Sequence, residues 1–340
     1  MRQRNGTTNA HRSAAGVNAI NTQWCGIVIC VYTAVTRNAQ TSGVRFVEGN
    51  APRRGLNVVQ SSEKLPKFNK PPVVEVVLGV QFQQLAGFHV GHHGAIWQRF
   101  QGKFSRVQQQ PRLPHIIERK GVQPPEMLNV MSLMSPSDHV PRMWLLSADD
   151  TELVQVQPDR FMRNWRRYHD GQIAYPSYDD HIRPGFVEDF ANFSAVIEDQ
   201  QLGPPIADQC EVVYVNHIDH SGTWQDFSQL GRVFKGWDAT YPHSVGSGTD
   251  TVAYRMRRDV TDDHGKFVGH FFIELDSAYS LRQTGAMTPI FQLQLNVRGR
   301  PLSEGAEGVM RFMDLAHKII VNSFAELTTP EMHAIWERIQ

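Results

Sequence analysis

The stretch RMWLLSADDTELVQVQPDRFMRNWRRY, residues 142–168, decides how the rest of the chain is arranged. Two apolar, β-prone arms are separated by the polar turn Ala148-Asp149-Asp150, a pattern that predicts a β-hairpin near the middle of the folded part. Beyond Val156 the second arm becomes rich in arginine and aromatic residues, namely Arg160, Phe161, Arg163, Trp165, Arg166, Arg167 and Tyr168. We therefore expect the other elements to pack around this hairpin and a second one like it.

The segments on either side of this hairpin predict one strand and two helices. The run VVEVVLGVQF, residues 73–82, is apolar at nearly every position, which is typical of a central strand. Apolar residues at helical spacing predict one helix over residues 95–108 and another over residues 183–202. Residues 111–141 contain repeated prolines and are expected to form a loop.

The order of elements then restarts with CEVVYVNHI, residues 210–218, a predicted strand in which Glu211-Val212-Val213 matches Glu75-Val76-Val77. The predictions for the rest of this part are a short helix over 226–234, a hairpin of strands 251–259 and 267–276, a strand over 290–298, a long helix over 304–324 and a last helix from Thr329.

Together these patterns predict an α+β fold in which an antiparallel sheet carries helices on one face. The order strand, helix, hairpin, helix occurs twice, with one extra strand in the second half. This order suggests two similar β-α-β-β-α halves, residues 65–205 and 206–340, packed as one unit. The alternative is a single α+β domain whose periodicity is coincidental.

Residues 1–64 differ from the rest because they show no sustained period and are rich in Asn, Thr, Arg, Gly and Ser. Their one apolar run, residues 24–35, is shorter than the ~20 residues that a membrane-spanning helix needs. We expect a disordered or wrongly assigned leader, and a secretion signal is the competing interpretation.

Composition indicates an ordinary soluble globular protein. The chain has 340 residues, 41% of them hydrophobic, and a formal net charge of zero. Nucleic-acid and membrane-surface binders usually carry a basic excess, so neither partner is expected. The three cysteines, Cys25, Cys30 and Cys210, give no disulfide framework, and a cytoplasmic location is the default expectation.

One face of the predicted sheet should be polar and available to a ligand. In the strand 290–298 apolar residues alternate with Gln292, Gln294 and further polar residues, which must point away from the helices. Gln155 and Gln157 should do the same if Val154 and Val156 point inward. The pair Asn216-His217 closes an apolar strand, where it forms either a satisfied buried network or part of a site.

The arginine and aromatic cluster is the second candidate binding surface, with Arg163, Trp165 and Arg166 at its centre. Arginines beside aromatic rings bind phosphates, stack on bases or form interface hot spots. The structural alternative is a strand end whose arginines pair with nearby acids and stack on Trp165.

An enzyme remains the alternative to a binding protein. Histidines cluster at His89, His92 and His93, and His217 and His220 flank Asp219, a set of ligands that suits zinc. The spacing matches no strong metal template, and no nucleophile elbow or phosphate-binding loop is present. We therefore expect no cofactor and no metal, and assign no catalytic residue.

Several blocks resemble a sporadically distributed, computationally defined family of uncharacterised bacterial proteins. The blocks are PPVVEVVLGVQF, VQVQPDRFMRNWRR followed by YPSYDD, CEVVYVNHI, and LAHKIIVNSFAELTTPEMHAIWER. The resemblance covers about residues 65–338 and implies a bacterial-type cytoplasmic protein without assigning catalytic residues. Our prediction is a non-enzymatic binding or adaptor protein whose partner is an unknown protein or small molecule.

Overall fold

The computed structural model describes residues 64–121, 140–167, 174–220, 222–237, 248–281 and 285–340. Within them one nine-stranded antiparallel sheet carries helices on one face, which confirms the predicted α+β class. The predicted leader lies outside the described residues, apart from Lys64.

The bounds of the strands and helices are as follows. The strands are β1 (Val73–Phe82), β2 (Arg106–Gln110), β3 (Arg142–Leu146), β4 (Glu152–Gln157), β5 (Arg160–Arg166), β6 (Ala207–Asp219), β7 (Ala253–Thr261), β8 (Phe267–Leu281) and β9 (Met287–Gly299). The helices are α1 (His92–Phe100), α2 (Arg183–Asp199), α3 (Gly305–Leu327) and α4 (Pro330–Ile335). A π-helical turn, Tyr178–Ile182, precedes α2, and a short 3₁₀ helix, Phe227–Arg232, follows β6.

The sheet is organised about its central pair of strands, β1 and β6. Its order is β2-β3-β4-β5-β1-β6-β9-β8-β7, so the strands on either side of the centre follow the same plan. In the first part β3, β4 and β5 form a meander that returns to pair with β1. In the second part β7, β8 and β9 return in the same way to pair with β6. Val77 faces Val213 across the central pair, which places these two matching residues at the middle of the arrangement.

The helices cover one face of this sheet and bury its apolar side chains. Alternate residues of each strand point to that side, as the alternation in the sequence predicts. Fully buried examples from the strands and helices are Val76, Leu78, Phe161, Phe186, Phe193, Leu293, Leu295 and Phe312. Burying each such side chain contributes roughly 1.5–3 kcal/mol. We call this side the helix face and the opposite side the second face.

The stretch predicted as one hairpin forms all three strands of a meander, β3, β4 and β5, over residues 142–166. Its first turn falls where expected, at residues 147–151, with Asp150 at a φ of 63°. Asp149 Oδ1 accepts hydrogen bonds from Thr151 N and Oγ1, which explains the two aspartates as turn residues. The second arm does not continue, because the turn at Pro158-Asp159 reverses the chain and starts β5.

The helix predicted over residues 95–108 is too long. The helix α1 ends at Phe100, and residues 106–110 form the edge strand β2, which pairs with β3. The apolar stripe itself is real, because Ile96, Phe100 and Phe104 are all buried. Pairing with β3 outweighs local helix preference beyond Gly102, so the extra strand belongs to the first half and not to the second.

A polar contact joins the N-terminal end of α2 to α3 on the helix face. The ring of Tyr178 stacks on His317 with centroids 3.8 Å apart, and its hydroxyl donates to Asp314. Asp314 also accepts two hydrogen bonds from Arg183. Burial lowers the pKa of His317 to about 4, so this imidazole is neutral at physiological pH. The two halves are therefore joined through their helices as well as through the central strands.

Candidate functional site

The second face carries the polar residues that the alternation predicts. Gln155 and Gln157 alternate with the buried Val154 and Val156, and Gln292 and Gln294 alternate with residues of the helix-face core. Among the described residues this face is open only around Gln292 and Gln294, toward the end of β9 that lies away from Arg298. There Gln292 and Gln294 are half-buried, whereas Gln155 and Gln157 are each 1% exposed.

A segment of the chain itself, residues 111–121, covers part of the second face. We call it the strap. It crosses the sheet from β4 to β7 with these contacts: Gln157 to Leu113, Arg160 to the Pro114 carbonyl, Gln81 to Ile116, Gln209 to the Glu118 amide, Arg298 and His270 to the Glu118 carboxylate, and Arg257 to the Gly121 carbonyl. From β4 to β7 the strap crosses six strand spacings of ~4.8 Å, a distance of ~29 Å. The eight residues from Leu113 to Gly121 reach ~27 Å at ~3.4 Å each, so the strap is almost fully extended.

Two glutamine amides each bind both backbone polar groups of one strap residue. Gln157 accepts from Leu113 N at 3.0 Å and donates to Leu113 O at 2.9 Å. Gln81 accepts from Ile116 N at 3.0 Å and donates to Ile116 O at 2.7 Å. These side chains recognise peptide groups rather than side chains, as a neighbouring strand does at a sheet edge.

Glu118 is the one fully buried residue of the strap and its charged anchor. Its carboxylate lies 2.6 Å from His270 Nδ1 and 2.7 Å from Arg298 Nε. Burial alone would raise the pKa of Glu118, but the hydrogen bonds and charges of His270 and Arg298 outweigh burial and lower it. The strap is therefore held by a carboxylate that stays ionised at neutral pH.

The same Glu-Asn-Arg arrangement occurs twice on the second face. In the first half Glu75 pairs with Arg166 in the strand register, and Asn164 Nδ2 donates to Glu75 Oε1 at 2.6 Å. In the second half the corresponding residues are Glu211, Arg298 and Asn296, with the equivalent hydrogen bond at 2.7 Å. The two triads are related by the exchange of β1 with β6 and of β5 with β9.

The two triads differ in what their arginines contact. Arg298 donates its Nε–H to Glu118 of the strap. Arg166 donates from Nη2 to the Asp150 carbonyl at 3.2 Å and lies over the ring of Trp144, 6.0 Å from its centre. The Nε–H of Arg166 is buried and has no hydrogen-bond partner in the described part of the chain.

Glu75 ends a chain of buried hydrogen bonds on the second face. Arg142 and Trp144 both donate to Gln155 Oε1, Gln155 donates to Asn164 Oδ1, and Asn164 donates to Glu75. Burial raises the pKa of Glu75 to about 7, although the hydrogen bond from Asn164 and the charge of Arg166 both act to lower it. A carboxyl group that titrates near neutrality at the middle of a polar face is a common feature of functional sites.

Two of the three central residues of the predicted arginine and aromatic cluster belong to the core instead. Trp165 is 2% exposed and meets Tyr175 edge to face within the helix-face core. Arg163 is 3% exposed and pairs with Asp189 of α2 at 2.8 Å and with Glu152 at 2.6 Å.

This placement corrects the expectation of one exposed cluster. Successive residues of β5 point to opposite faces, so Arg166 lies on the second face while Arg163 and Trp165 lie under the helices. The guanidinium of Arg163 fits against α2 only because residue 185 is glycine, where a Cβ would lie 2.4 Å from its central carbon.

The pair Asn216-His217 lies at the far end of β6 from the strap. Asn216 is 1% exposed, its Nδ2 donates to the Leu293 carbonyl at 3.1 Å, and its Oδ1 has no hydrogen-bond partner in the described residues. His217 is half-buried and faces Gln292 in the strand register, as Gln81 faces Arg160 in the other half. The pair therefore contributes one buried amide and one residue of the second face.

The histidines of the alternative metal site are not brought together. The backbone N–H of His217 donates to the Pro72 carbonyl at the start of β1, whereas the tilted rings of His89 and His92, with centroids 3.9 Å apart, lie beyond the other end of β1 at the start of α1. Within the described ranges no group of three or more His, Cys, Asp or Glu side chains is placed to hold a metal ion. No described helix has the length and apolarity needed to cross a membrane.

The residues of this site that were not identified from the sequence include Gln81, Glu118, Asn164, Gln209 and His270, whereas Arg298 was placed on the polar side of its strand. The signal for part of the set was present, because Asn-x-Arg occurs at both 164–166 and 296–298 and belongs with the matching Glu75 and Glu211.

Comparison of the chain with protein families, curated proteins and solved structures finds no match.

Proposed function

We propose that this protein is a non-enzymatic binding protein whose second face recognises an extended polypeptide. The observation that carries the proposal is the strap, a segment of the protein's own chain bound on that face through its backbone and through the Glu118 carboxylate. The glutamine contacts at Leu113 and Ile116 would hold any extended segment in the same way, because they involve no strap side chain.

The strength of the strap contacts is appropriate for reversible binding. Seven neutral or charge-assisted hydrogen bonds to backbone groups of the strap each contribute about 0.5–1.5 kcal/mol. The outer side of the strap is solvent-exposed at Pro114, His115 and Arg119. Leu113, which packs against the apolar patch of Val77, Met162, Val213 and Val215, is only half-buried.

The open part of the second face supports a polypeptide partner over nucleic acid. Its half-buried residues include one aromatic ring, two glutamines and two acids, namely Phe272, Gln292, Gln294, Glu274 and Asp276. Arg255 at the edge strand is neutralised by two contacts with Asp276. This mixture lacks the positive excess that phosphate backbones require.

We further propose that the two halves arose by tandem duplication and that the protein acts in the cytoplasm. The duplication is supported by the matching strand plans and by the two Glu-Asn-Arg triads. The resemblance to the family of uncharacterised bacterial proteins supports the cytoplasmic setting. The geometry gives no support to the metal-assisted alternative, since its histidines lie at opposite ends of β1.

The test is to supply the strap as a separate peptide. In a full-length variant, residues 112–120 are replaced by nine glycine and serine residues, and the synthetic peptide PRLPHIIERKG is titrated in by calorimetry. We expect this variant to bind the peptide at one site more than the wild-type protein does, and replacing Arg298 with Gln in it should abolish that site. A peptide with Gln in place of Glu should bind more weakly because the buried charge pair is lost.

An absence of any additional site in the strap-replaced variant would contradict the proposal. Hydrogen exchange on the wild-type protein gives a second measurement that does not depend on the variant's folding. The amides of Leu113, Ile116 and Glu118 should exchange through local opening while those of β1 and β6 remain protected. Exchange of the strap only together with the central strands would show that it is a fixed part of the fold.

A further inference from the structure

The two triads on the second face consist of the same residue types, but their arginines differ in whether Nε–H has a hydrogen-bond acceptor. In the second half Arg298 Nε binds a carboxylate, Glu118 of the strap, at 2.7 Å. In the first half the equivalent atom, Arg166 Nε, is buried without a hydrogen-bond partner among the described residues. A buried donor that lacks an acceptor costs roughly as much as a lost hydrogen bond, so its retention needs a reason.

The surroundings of Arg166 resemble a prepared site more closely than a packing defect. Its side chain is 8% exposed and is oriented by the Asp150 carbonyl and by the ring of Trp144. Glu75 faces it in the strand register, as Glu211 faces Arg298. The Nε–H of Arg166 belongs to a planar guanidinium of the second face, and a carboxylate is the acceptor whose planar shape matches it.

We propose that the Arg166 triad is a second carboxylate-binding site, which takes an aspartate or glutamate side chain of an extended segment from a partner protein. This inference rests on the proposed function and names the partner's chemistry. When β1 is matched with β6, Gln292 corresponds to Arg160 and His217 corresponds to Gln81. Arg160 and Gln81 are the residues that contact the strap. A partner segment bound to Arg166 would therefore continue over Gln292 and His217, across the half of the second face that the strap does not cover.

The local charges favour a carboxylate over a phosphate. Asp150 lies 3.8 Å from Arg166 Nη2, and Glu75 is adjacent in the register. A dianionic phosphate would add two charges beside these acids, whereas a carboxylate adds one. The neighbour of Arg166 on the next strand is Thr151, whereas the neighbour of Arg298 is His270. The Arg166 site therefore offers one cation, and the strap site offers a cation and an imidazole.

Calorimetry on the wild-type protein, whose strap is in place, tests the proposal. We expect PRLPHIIERKG to bind at one site, and Arg166→Gln to weaken that binding at least about tenfold. Arg255→Gln is the matched control, because Arg255 also lies on the second face but already pairs with Asp276, and it should leave the affinity unchanged. The peptide with Gln in place of Glu should bind as weakly as the peptide does to Arg166→Gln.

The two proposals fail in different ways. If the strap-replaced variant gains a site while the wild-type protein has none, the strap site stands and the Arg166 site is refuted. Equal binding of the Glu and Gln peptides to the wild-type protein would also refute it. Binding of free glutamate as tight as that of the peptide would show a small-molecule site instead of a peptide site.

Nuclear magnetic resonance of the arginine Nε–H groups gives a measurement that is independent of variant folding. Addition of the peptide to the wild-type protein should shift the Nε–H resonance of Arg166, which has no hydrogen-bond partner in the described residues, and leave that of Arg298 unchanged. A shift of Arg298 alone would mean that the peptide displaces the strap, and it would overturn the assignment to Arg166. Self-association of the protein at the same concentrations would identify the bound segment as the strap of a second copy and overturn the partner assignment.

Discussion

Replacing Glu75 with Gln should stabilise this protein above pH 7 and have little effect near pH 4.5. Glu75 is 1% exposed, and burial raises its pKa to about 7 against the hydrogen bond from Asn164 and the charge of Arg166. Gln has nearly the same shape as a protonated Glu, and its Oε1 can keep the hydrogen bond from Asn164, which is 2.6 Å in the wild-type protein. The substitution therefore imitates the protonated state at every pH.

The size of this stability change follows from the difference between the pKa of Glu75 in the folded protein and its pKa in the unfolded chain. The pKa of Glu75 is about 7 in the folded protein against an ordinary value of 4.5, a difference that corresponds to about 3 kcal/mol. Because the folded pKa is the higher one, the folded state binds more protons between these values, and stability falls as pH rises from 4.5 to 7. The wild-type protein loses this free energy over that range and Glu75→Gln does not.

The assay is urea unfolding of both proteins at a series of pH values between 4.5 and 8. The difference in free energy of unfolding, variant minus wild type, should grow from near zero to at most about 3 kcal/mol and level off above pH 7. A difference that is independent of pH would show that Glu75 does not titrate in this range. A variant less stable than wild type at pH 8 would show that the buried charge is compensated by Arg166.

Three other substitutions, together with Gly94→Ala as a control, separate the roles of the second face and the core. Glu118→Gln should destabilise at neutral pH, and because the pKa of Glu118 is lowered in the folded protein, the loss should disappear as pH falls through that lowered value, as urea unfolding in acid would show. Gly185→Ala should cost about 1–3 kcal/mol by displacing Arg163, whereas Gly94→Ala, which meets nothing within 4 Å, should not destabilise; denaturation midpoints give both. Trp165→Ala should cost ~3–5 kcal/mol as a core cavity, and a melting temperature equal to wild type would contradict its buried position.

The class of fold and most elements were predictable because apolar periodicity determines which residues are buried. The strand at Val73–Phe82 was predicted residue for residue, and strict alternation identified the buried side of β9. The strand β2 was not predictable, because Arg106–Gln110 has no alternation of its own and is a strand only through pairing with β3. The sequence of β2 alone does not indicate that it pairs with β3, which lies more than thirty residues away in the chain.

The site was predictable only in part, for the same reason. Alternation gave the orientation of Gln155, Gln157, Gln292 and Gln294, since it depends on neighbouring residues in one strand. It gave no information on which of them another segment would cover. Arg163 and Arg166 illustrate the limit: the sequence shows two similar arginines three apart, and the strand places one under the helices and the other on the second face.

The central position of β1 has a consequence for synthesis of the chain. As the protein leaves the ribosome, β5 can pair with β1 long before β6 exists, and about fifty residues separate the ends of those two partners. At about 5–20 residues per second, the other edge of VVEVVLGVQF stays unpaired for about 3–10 seconds. When β6 pairs with that edge, its own outer edge stays unpaired until β9 is made, about eighty residues later. Nascent chains thus expose one apolar strand edge after another to neighbouring chains, and yield of native protein should fall with expression rate and rise with chaperone supply.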